Sequence, residues 1–136
     1  MASVAAGGVQ AKPGGLITRE AARDLSSYQY HAVTIDSNGR IDYADSSAAT
    51  NVIGILQNAP DALGAEAEVA TEGTSLMRVT GSGTITIMCK LGSDASYHGA
   101  KVSADKAIYF AEAMEASDTD DDLIEVKLLG TRNISV

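Results

Sequence analysis

The feature that most constrains the fold is a segment that occurs twice in the chain. Residues Gly54–Gly73 align without a gap with Ala111–Gly130. Each copy runs from an apolar-leaning stretch through a polar turn built on Asp to a short Glu-Val strand that Gly stops. The identical pairs are Ala59/Ala116, Asp61/Asp118, Glu68/Glu125, Val69/Val126 and Gly73/Gly130. Because turn and strand residues are repeated, rather than nucleophiles or metal ligands, the repeat predicts a β scaffold and a structural protein.

The composition limits the size of the core. A chain of 136 residues is long enough for one domain that buries about two-thirds of its unfolded surface. Its apolar residues are mostly Ala, Val, Ile and Leu, with one Phe, five Tyr and no Trp. Small side chains predict a thin core, and burial between subunits commonly supplements such a core in a small β-domain. We therefore expect a homo-oligomer.

The charge distribution argues against two classes of partner. The net charge is −8, from 18 acidic and 10 basic residues, and the cations are scattered along the chain. Phosphate backbones and anionic membranes would be repelled, so we expect neither nucleic acid nor membrane as a partner. The single cysteine, Cys89, cannot form an intrachain disulfide. The N-terminus lacks the features of a secretory signal, which predicts a soluble protein made in the cytosol.

The first residues predict a flexible N-terminal arm. Residues 1–15 are mostly Ala, Gly, Ser, Val and Gln, a composition that buries too little apolar surface to order itself. The arm is either a tail without a role or a segment that orders against a partner. We expect one β-rich domain over residues 16–136, with Leu16–Thr18 anchoring the arm. The following Arg19–Leu25 favours two turns of helix, or a turn.

Short strands are predicted along the rest of the chain. Strands at Ala32–Ile35 and Ile41–Tyr43 flank Asp36–Gly39, a strong hairpin turn. Leu91–Gly99 is predicted as a loop. The other predicted strands are Val52–Leu56, Ala65–Thr71, Leu76–Val79, Thr84–Met88, Ala100–Ser103, Ala107–Ala111 and Leu123–Leu129. The third and fourth of these would form a hairpin, and the last would close the sheet. The pattern predicts an all-β fold with little helix, as a barrel or sandwich.

Candidate metal-binding and catalytic groups are few. His31 and His98 lie far apart in the sequence and lack the spacing of a zinc site, so surface or partner-packing histidines are favoured. Cys89 follows a predicted strand, where a thiol usually behaves as a small apolar group. A catalytic Cys89 would need one of the histidines beside it in space. These residues predict neither a metal site nor a nucleophile.

Two further motifs also favour structural interpretations. The acidic run Asp118–Asp122 suggests calcium, yet it lacks the downstream Gly and Glu of an EF-hand loop, and a solvated acidic turn is favoured. Gly81–Gly83 lacks the Lys and helix of a phosphate loop and is predicted to be a turn. No nucleophile elbow or aromatic platform is present in the sequence. We therefore expect no enzyme activity, catalytic residue, cofactor or metal.

The residues carry a resemblance to a known family. The segments Asp24–Ile41, Asn51–Gly73 and Asp121–Leu129 resemble the capsid cement, or decoration, proteins of tailed bacteriophages. In that family a Tyr-x-Phe or Tyr-x-His strand, an Ile-Gly-Ile-Leu segment, an Asn-x-Pro turn and a final Ile-Glu-Val strand recur. The resemblance covers most of Asp24–Leu129 and implies a compact β-barrel or β-tulip-like domain with a flexible N-terminal arm.

The resemblance also implies a function. Family members commonly sit as trimers on the outside of the expanded head, where they bind the major capsid protein and stabilise the shell against the pressure of packaged DNA. The virion surface would then be the final location, after synthesis in the host cytoplasm. The arm would add a strand to a capsid edge, with Leu16 and Ile17 as apolar anchors and Lys12 or Arg19 paired with capsid carboxylates.

Two other functions stay open at this point. Residues Ser93–Ala116 are richer in Tyr, His and Met than the first copy of the repeat suggests. A virion-surface adhesion or head-fibre module that binds host glycans would share the β-architecture. A small β-fold enzyme would require an active Cys89 or an active Asp118–Asp122 cluster.

Overall fold

Ten β-strands make up the described part of the protein. The computed structural model describes residues 15–44, 52–80, 84–93, 98–102 and 108–133. No helix occurs within these residues, which confirms the all-β class. The strands are β1 (Leu16–Glu20), β2 (Ala32–Ile35), β3 (Ile41–Tyr43), β4 (Gly54–Leu56), β5 (Glu66–Ala70), β6 (Gly73–Val79), β7 (Lys90–Ser93), β8 (Gly99–Lys101), β9 (Ile108–Ala113) and β10 (Asp122–Asn133).

The first five strands form one antiparallel sheet in the order β1-β5-β4-β2-β3. A single parallel bridge between Ala21 and Ile41 also joins the end of β1 to β3. The predicted hairpin of β2 and β3 is confirmed. Asp36 closes its turn by accepting the backbone N–H groups of Asn38 and Arg40 at 2.9 and 3.0 Å. Gly39 adopts φ 77°, which a side chain would disfavour there.

The last five strands form a closed barrel in the order β10-β6-β8-β7-β9. All its pairs are antiparallel except β6 with β8, which meet in parallel at Val79 and Gly99. The longest strand, β10, lies between β6 and β9, and this confirms that Leu123–Leu129 closes the sheet. The described residues include no helix with the length and apolarity needed to cross a membrane.

The two sheets are structural copies of each other. If β1–β5 are matched in order with β6–β10, every strand pair of the first sheet has an equivalent strand pair in the barrel. The aligned segments give the same register, since Leu56 opposes Val69 and Ala113, 57 positions after Leu56, opposes Val126. The sequence repeat is therefore a structural repeat, and the halves are called the first half (β1–β5) and the second half (β6–β10).

The repeat extends well beyond the segment seen in the sequence. Strands β1–β3 correspond to β6–β8 with an offset of 58 residues, one more than in the later strands. The bridge of Ala21 with Ile41 corresponds to that of Val79 with Gly99. The other equivalent pairs are Leu16↔Ala70 with Thr74↔Lys127, Ala32↔Ile55 with Lys90↔Glu112, and Val33↔Tyr43 with Leu91↔Lys101.

Even the irregular connections repeat. Tyr30 and Met88 both adopt positive φ, at 68° and 75°. The N–H of Tyr30 donates to Leu56 O at 2.7 Å, and that of Met88 donates to the equivalent Ala113 O at 2.8 Å. Positive φ is uncommon for residues other than Gly, so its recurrence at equivalent positions shows that the two connections share one conformation.

The core has two clusters of buried side chains. The smaller one fills the first half and contains Val33, Leu56 and Val69. The larger one fills the second half with residues such as Leu91 and Val126. It also includes residues of the first half, namely Ala32, Ala44, Val52, Ile55 and Ala70. The halves therefore share apolar burial, and the surface between them is called the joint.

Polar contacts also cross the joint. The Arg78 N–H donates to Tyr30 O at 3.0 Å, and the Gln57 side-chain amide donates to Ser75 Oγ at 2.8 Å. These bonds satisfy backbone and amide groups that lie at the margin of the shared core.

Three local predictions were wrong. The helical alternative for Arg19–Leu25 is wrong, because Arg19 and Glu20 end β1, Ala21 makes a bridge, and Ala22 and Arg23 form a bend. Thr84–Met88 is not a strand paired with β6, since Ile85 makes only an isolated bridge with Ser117 and β10 and β8 pair with β6 instead. Part of the predicted loop Leu91–Gly99 belongs to β7, which pairs with β8 and β9.

Candidate functional site

The arm-contact residues predicted from the sequence lie on β1, at the edge of the first sheet. Leu16, Ile17 and Arg19 all belong to this strand, which pairs with β5. Lys12 and the rest of residues 1–14 lie outside the described residues. The described chain enters the fold at Gly15, whose carbonyl accepts the Thr71 N–H at 2.6 Å and the Thr71 hydroxyl at 3.0 Å. This clamp fixes the point at which the preceding segment meets the sheet.

Within the described residues, the edge of β1 that faces away from β5 is open along Leu16–Arg19, and the bridge of Ala21 with Ile41 joins its end to β3. The Ala21 N–H donates to Ala65 O on the β5 side, and the Thr71 N–H donates to Gly15 O on that side. Since hydrogen-bonded and non-bonded pairs alternate in an antiparallel ladder, Leu16, Thr18 and Glu20 direct their backbone groups away from β5. An edge of this kind is a template for pairing with another chain.

The side chains of β1 are unequal candidates for contact. Leu16 is 41% exposed, whereas Ile17 packs against the core cluster of the first half. The Arg19 guanidinium donates to the Thr18 carbonyl at 2.9 Å and so covers one acceptor of the open edge. Leu16 is therefore the apolar anchor that the fold leaves accessible.

A shallow depression of about 340 Å³ lies beside the end of β1. Its lining residues are Thr18, Arg19, Glu20, Gly64 and Glu66. Glu20 and Glu66 oppose each other across β1 and β5, and Arg40 lies 3.3 Å from the Glu20 carboxylate. This end of the first half therefore carries both acidic and basic side chains.

A second group of functional side chains runs from the first half to the second. The ring of the buried His31 lies 5.1 Å from that of His98 between centroids, at an interplanar angle of 48°, and Tyr28 meets His31 edge-on at 5.5 Å. The His98 Nε2 lies 3.0 Å from the Asp121 carboxylate, which is also 3.8 Å from the Arg78 guanidinium. The histidines thus pack against each other across the joint.

The same group continues on the first half as an ion pair over an aromatic ring. Arg23 donates to the Asp42 carboxylate at 2.8 Å and lies 4.8 Å from the Tyr43 ring centroid. The hydrogen bond and the charge of Asp42 raise the pKa of the Arg23 guanidinium further. Sequence reasoning missed this group, although the run of Tyr and His at Tyr28–His31 was a usable clue.

The groups that an enzyme would require, Cys89 and the Asp118–Asp122 run, make contacts within the fold. Cys89 packs against the larger core cluster and occupies the position in the second half that His31 has in the first. Asp122 accepts the Ser117 hydroxyl at 2.7 Å, while Asp121 faces His98. Within the ranges that the structure describes, no group of three His, Cys, Asp or Glu residues is placed to hold a metal ion.

Comparisons with known proteins add no relative. No protein-family model matches the chain, and no curated protein matches it. The fold and the geometry of β1 are therefore the basis for a functional proposal.

Proposed function

We propose that the protein is a structural component of a tailed-phage virion that binds the outer surface of the expanded capsid and stabilises it against internal DNA pressure. The observation that supports this most is the placement of β1. The N-terminal segment leads directly into a strand with an open edge, and the exposed Leu16 lies where that segment joins it. The N-terminal segment, which ends where β1 begins, can add a strand to a capsid edge while the two halves hold the rest of the chain rigid.

The capsid would be stabilised by thermodynamic linkage between binding of this protein and the expanded state of the lattice. A protein that binds only the assembled, expanded lattice lowers the free energy of that state. Many copies on one shell add their contributions, so each contact can be weak. In this proposal the major capsid protein is the partner, the active form is a homo-oligomer of three copies, and the location is the outer face of the virion. The family resemblance motivates this assignment, and the all-β fold is compatible with it.

The test uses undecorated expanded heads of the phage that encodes the protein. We expect saturable binding of the full chain in co-sedimentation and density at repeated lattice positions in cryo-electron microscopy. Deletion of residues 2–15 and the substitution Leu16→Lys should each lower occupancy. Leu63→Lys is the matched control, because Leu63 is an exposed apolar residue that lies outside β1.

Heads that stay bare after addition of the folded full-length protein would overturn the proposal. The adhesion alternative predicts that outcome together with binding to host cells or glycans. If the deletion variant and Leu16→Lys both bind the heads to full occupancy, the protein binds capsid without the arm, and the arm is rejected as the basis of binding.

A further inference from the structure

The outer faces of the two halves differ in what covers them. In the first half, two cross-strand rows point away from the core of that half. They are Tyr30, Gln57 and Glu68 in one row and Ala32, Ile55 and Ala70 in the other. All six are buried or half-buried, and the apolar row belongs to the larger core cluster. The second half covers this first outer face.

The equivalent rows of the second half form a surface called the second outer face. They are Met88, Met114 and Glu125 in one row and Lys90, Glu112 and Lys127 in the other. Met88 is 58% exposed and Met114 is 39% exposed, and the neighbouring Ile87 is 61% exposed. The Met88 N–H bonds to Ala113 O, so Met88 lies beside Met114. The second half thus presents two exposed methionines and four charged residues where the first half has its joint.

The joint shows how such a face is covered in this fold. At the first outer face, Tyr30 O accepts the N–H of Arg78 on the edge of β6. Gln57 of the same face donates to Ser75 of β6. The first strand of the second half therefore contacts this face through one backbone N–H that is directed away from its own sheet and through the Ser75 hydroxyl.

The first strand of the first half offers the same groups. By the offset of 58 residues, Glu20 of β1 corresponds to Arg78 of β6, and Ile17 corresponds to Ser75. The Glu20 N–H faces the open edge of β1, as the alternation of bonds with β5 requires. Within the described residues, the chain accordingly carries both an exposed face and an edge of the kind that contacts the equivalent face in the other half.

We propose that a second copy of this chain covers the second outer face. The Glu20 end of β1 in one copy docks against Met88 and Met114 of the next, and the Glu20 N–H donates to Met88 O as Arg78 donates to Tyr30 O. The contact is heterologous, because two different surfaces meet, so it forms a closed ring or an open filament. This inference deepens the proposed homo-oligomer, and the count of three rests on the proposed function.

The charges of the two surfaces are mixed. The second outer face bears the exposed Lys127 and Glu125 beside the paired Lys90 and Glu112, and the region of β1 bears Arg19 as well as Glu20 and the exposed Glu72. The internal joint has the apolar Ala32, Ile55 and Ala70 where this contact has a charged row. We therefore expect an association between copies that is weaker than the joint.

The test measures the molar mass of the protein alone by size-exclusion chromatography with light scattering across a dilution series. Glu20→Pro removes the N–H from an edge position that tolerates Pro and should weaken self-association about tenfold or more. Glu20→Ala is the matched control, because it loses the same contact with Arg40 and keeps the N–H. Met114→Lys should also weaken self-association, whereas Leu63→Lys, a change at an exposed apolar residue outside both surfaces, should not.

A mixture of the two interface variants gives the sharpest result. Met114→Lys keeps an intact β1 edge, and Glu20→Pro keeps an intact face, so an equimolar mixture should form heterodimers that cannot grow. A wild-type protein that is monomeric at all concentrations, or a wild-type oligomer that both variants leave unchanged, would overturn the inference. Capsid binding is measured separately. If the wild type self-associates, both variants weaken that association and the heads stay bare, the contact between copies is supported and only the proposed function is rejected.

Discussion

Single positions show how one fold accommodates two different cores. Ile41 is fully buried in the first half, and its equivalent in the second half is Gly99. The space is filled from the opposite strand, because Met77 is fully buried there, whereas its equivalent Arg19 turns back to a neighbouring carbonyl. A Cβ added to Gly99 would lie 2.8 Å from Met77 Cε and 2.9 Å from its Sδ. The two positions therefore form a compensating pair.

This pair gives a prediction that can be tested by a double-mutant cycle. Gly99→Ala should cost about 1–3 kcal/mol of unfolding free energy through overpacking. Met77→Ala should cost about 2–5 kcal/mol through the cavity that it leaves. The double variant should cost less than the sum of the two, as measured by urea denaturation, because each change relieves the other. Strict additivity would show that the side chain of Met77 does not limit position 99.

The exposure of the candidate contact residues could be predicted only in part. Leu16 was identified because it follows a Gly-rich segment, and it is exposed on β1. The same reasoning selected Ile17, whose side chain packs against the core, since alternation alone does not tell which face of an edge strand is covered. Met88 and Met114 were not identified. They occupy the positions in the second half that Tyr30 and Gln57 have in the first half, and the residue types at these equivalent positions differ.

At the scale of elements, strands β7 and β9 are joined by a cross-strand ion pair. Lys90 Nζ lies 2.6 Å from the Glu112 carboxylate, with side chains 37% and 12% exposed. The hydrogen bond to Glu112 raises the pKa of the Lys90 ammonium above its ordinary value of 10.5. A pKa that is raised by folding means that the pair stabilises the fold below the pKa of unfolded lysine.

The expected pH dependence follows from that direction. Relative to Lys90→Met, the wild type should gain less than about 1 kcal/mol at neutral pH, because solvent screens the pair. The gain should disappear as pH rises through the raised pKa of Lys90. Thermal unfolding of the wild type and of Lys90→Met between neutral and strongly alkaline pH measures this difference in stability. A difference between the two proteins that is independent of pH would contradict the assignment of the ion pair.

Elements whose conformation is specified by residues close together in the sequence were predicted. Elements that form only by pairing with distant strands were not. The hairpin of β2 and β3 was predicted because Asp36 and Gly39 specify its turn within a few residues. Alternation in Thr84–Met88 suggested a strand, yet positive φ at Thr84 and Met88 bends both ends of the segment. Strand β7 was missed because its residues, Lys-Leu-Gly-Ser, form a strand only between β8 and β9.

At the scale of the whole molecule, the shared core cluster couples the two halves. Ile55 belongs to a strand of the first half, yet its buried side chain is part of the cluster that fills the second half. Ile55→Ala should therefore cost about 2–5 kcal/mol and shift the unfolding of both halves together. Far-ultraviolet and near-ultraviolet circular dichroism should report one coincident transition. Two separated transitions would show that the halves unfold independently.

The joint has a consequence for how the chain reaches its folded state. A half expressed alone would expose the Ala32, Ile55 and Ala70 row, and it could cover that row only by meeting another molecule. Linking the halves through Thr71 and Glu72 makes the encounter intramolecular. A short tether gives an effective concentration in the millimolar range. The two halves can therefore assemble at any dilution, including the first moments of synthesis when few copies of the protein exist.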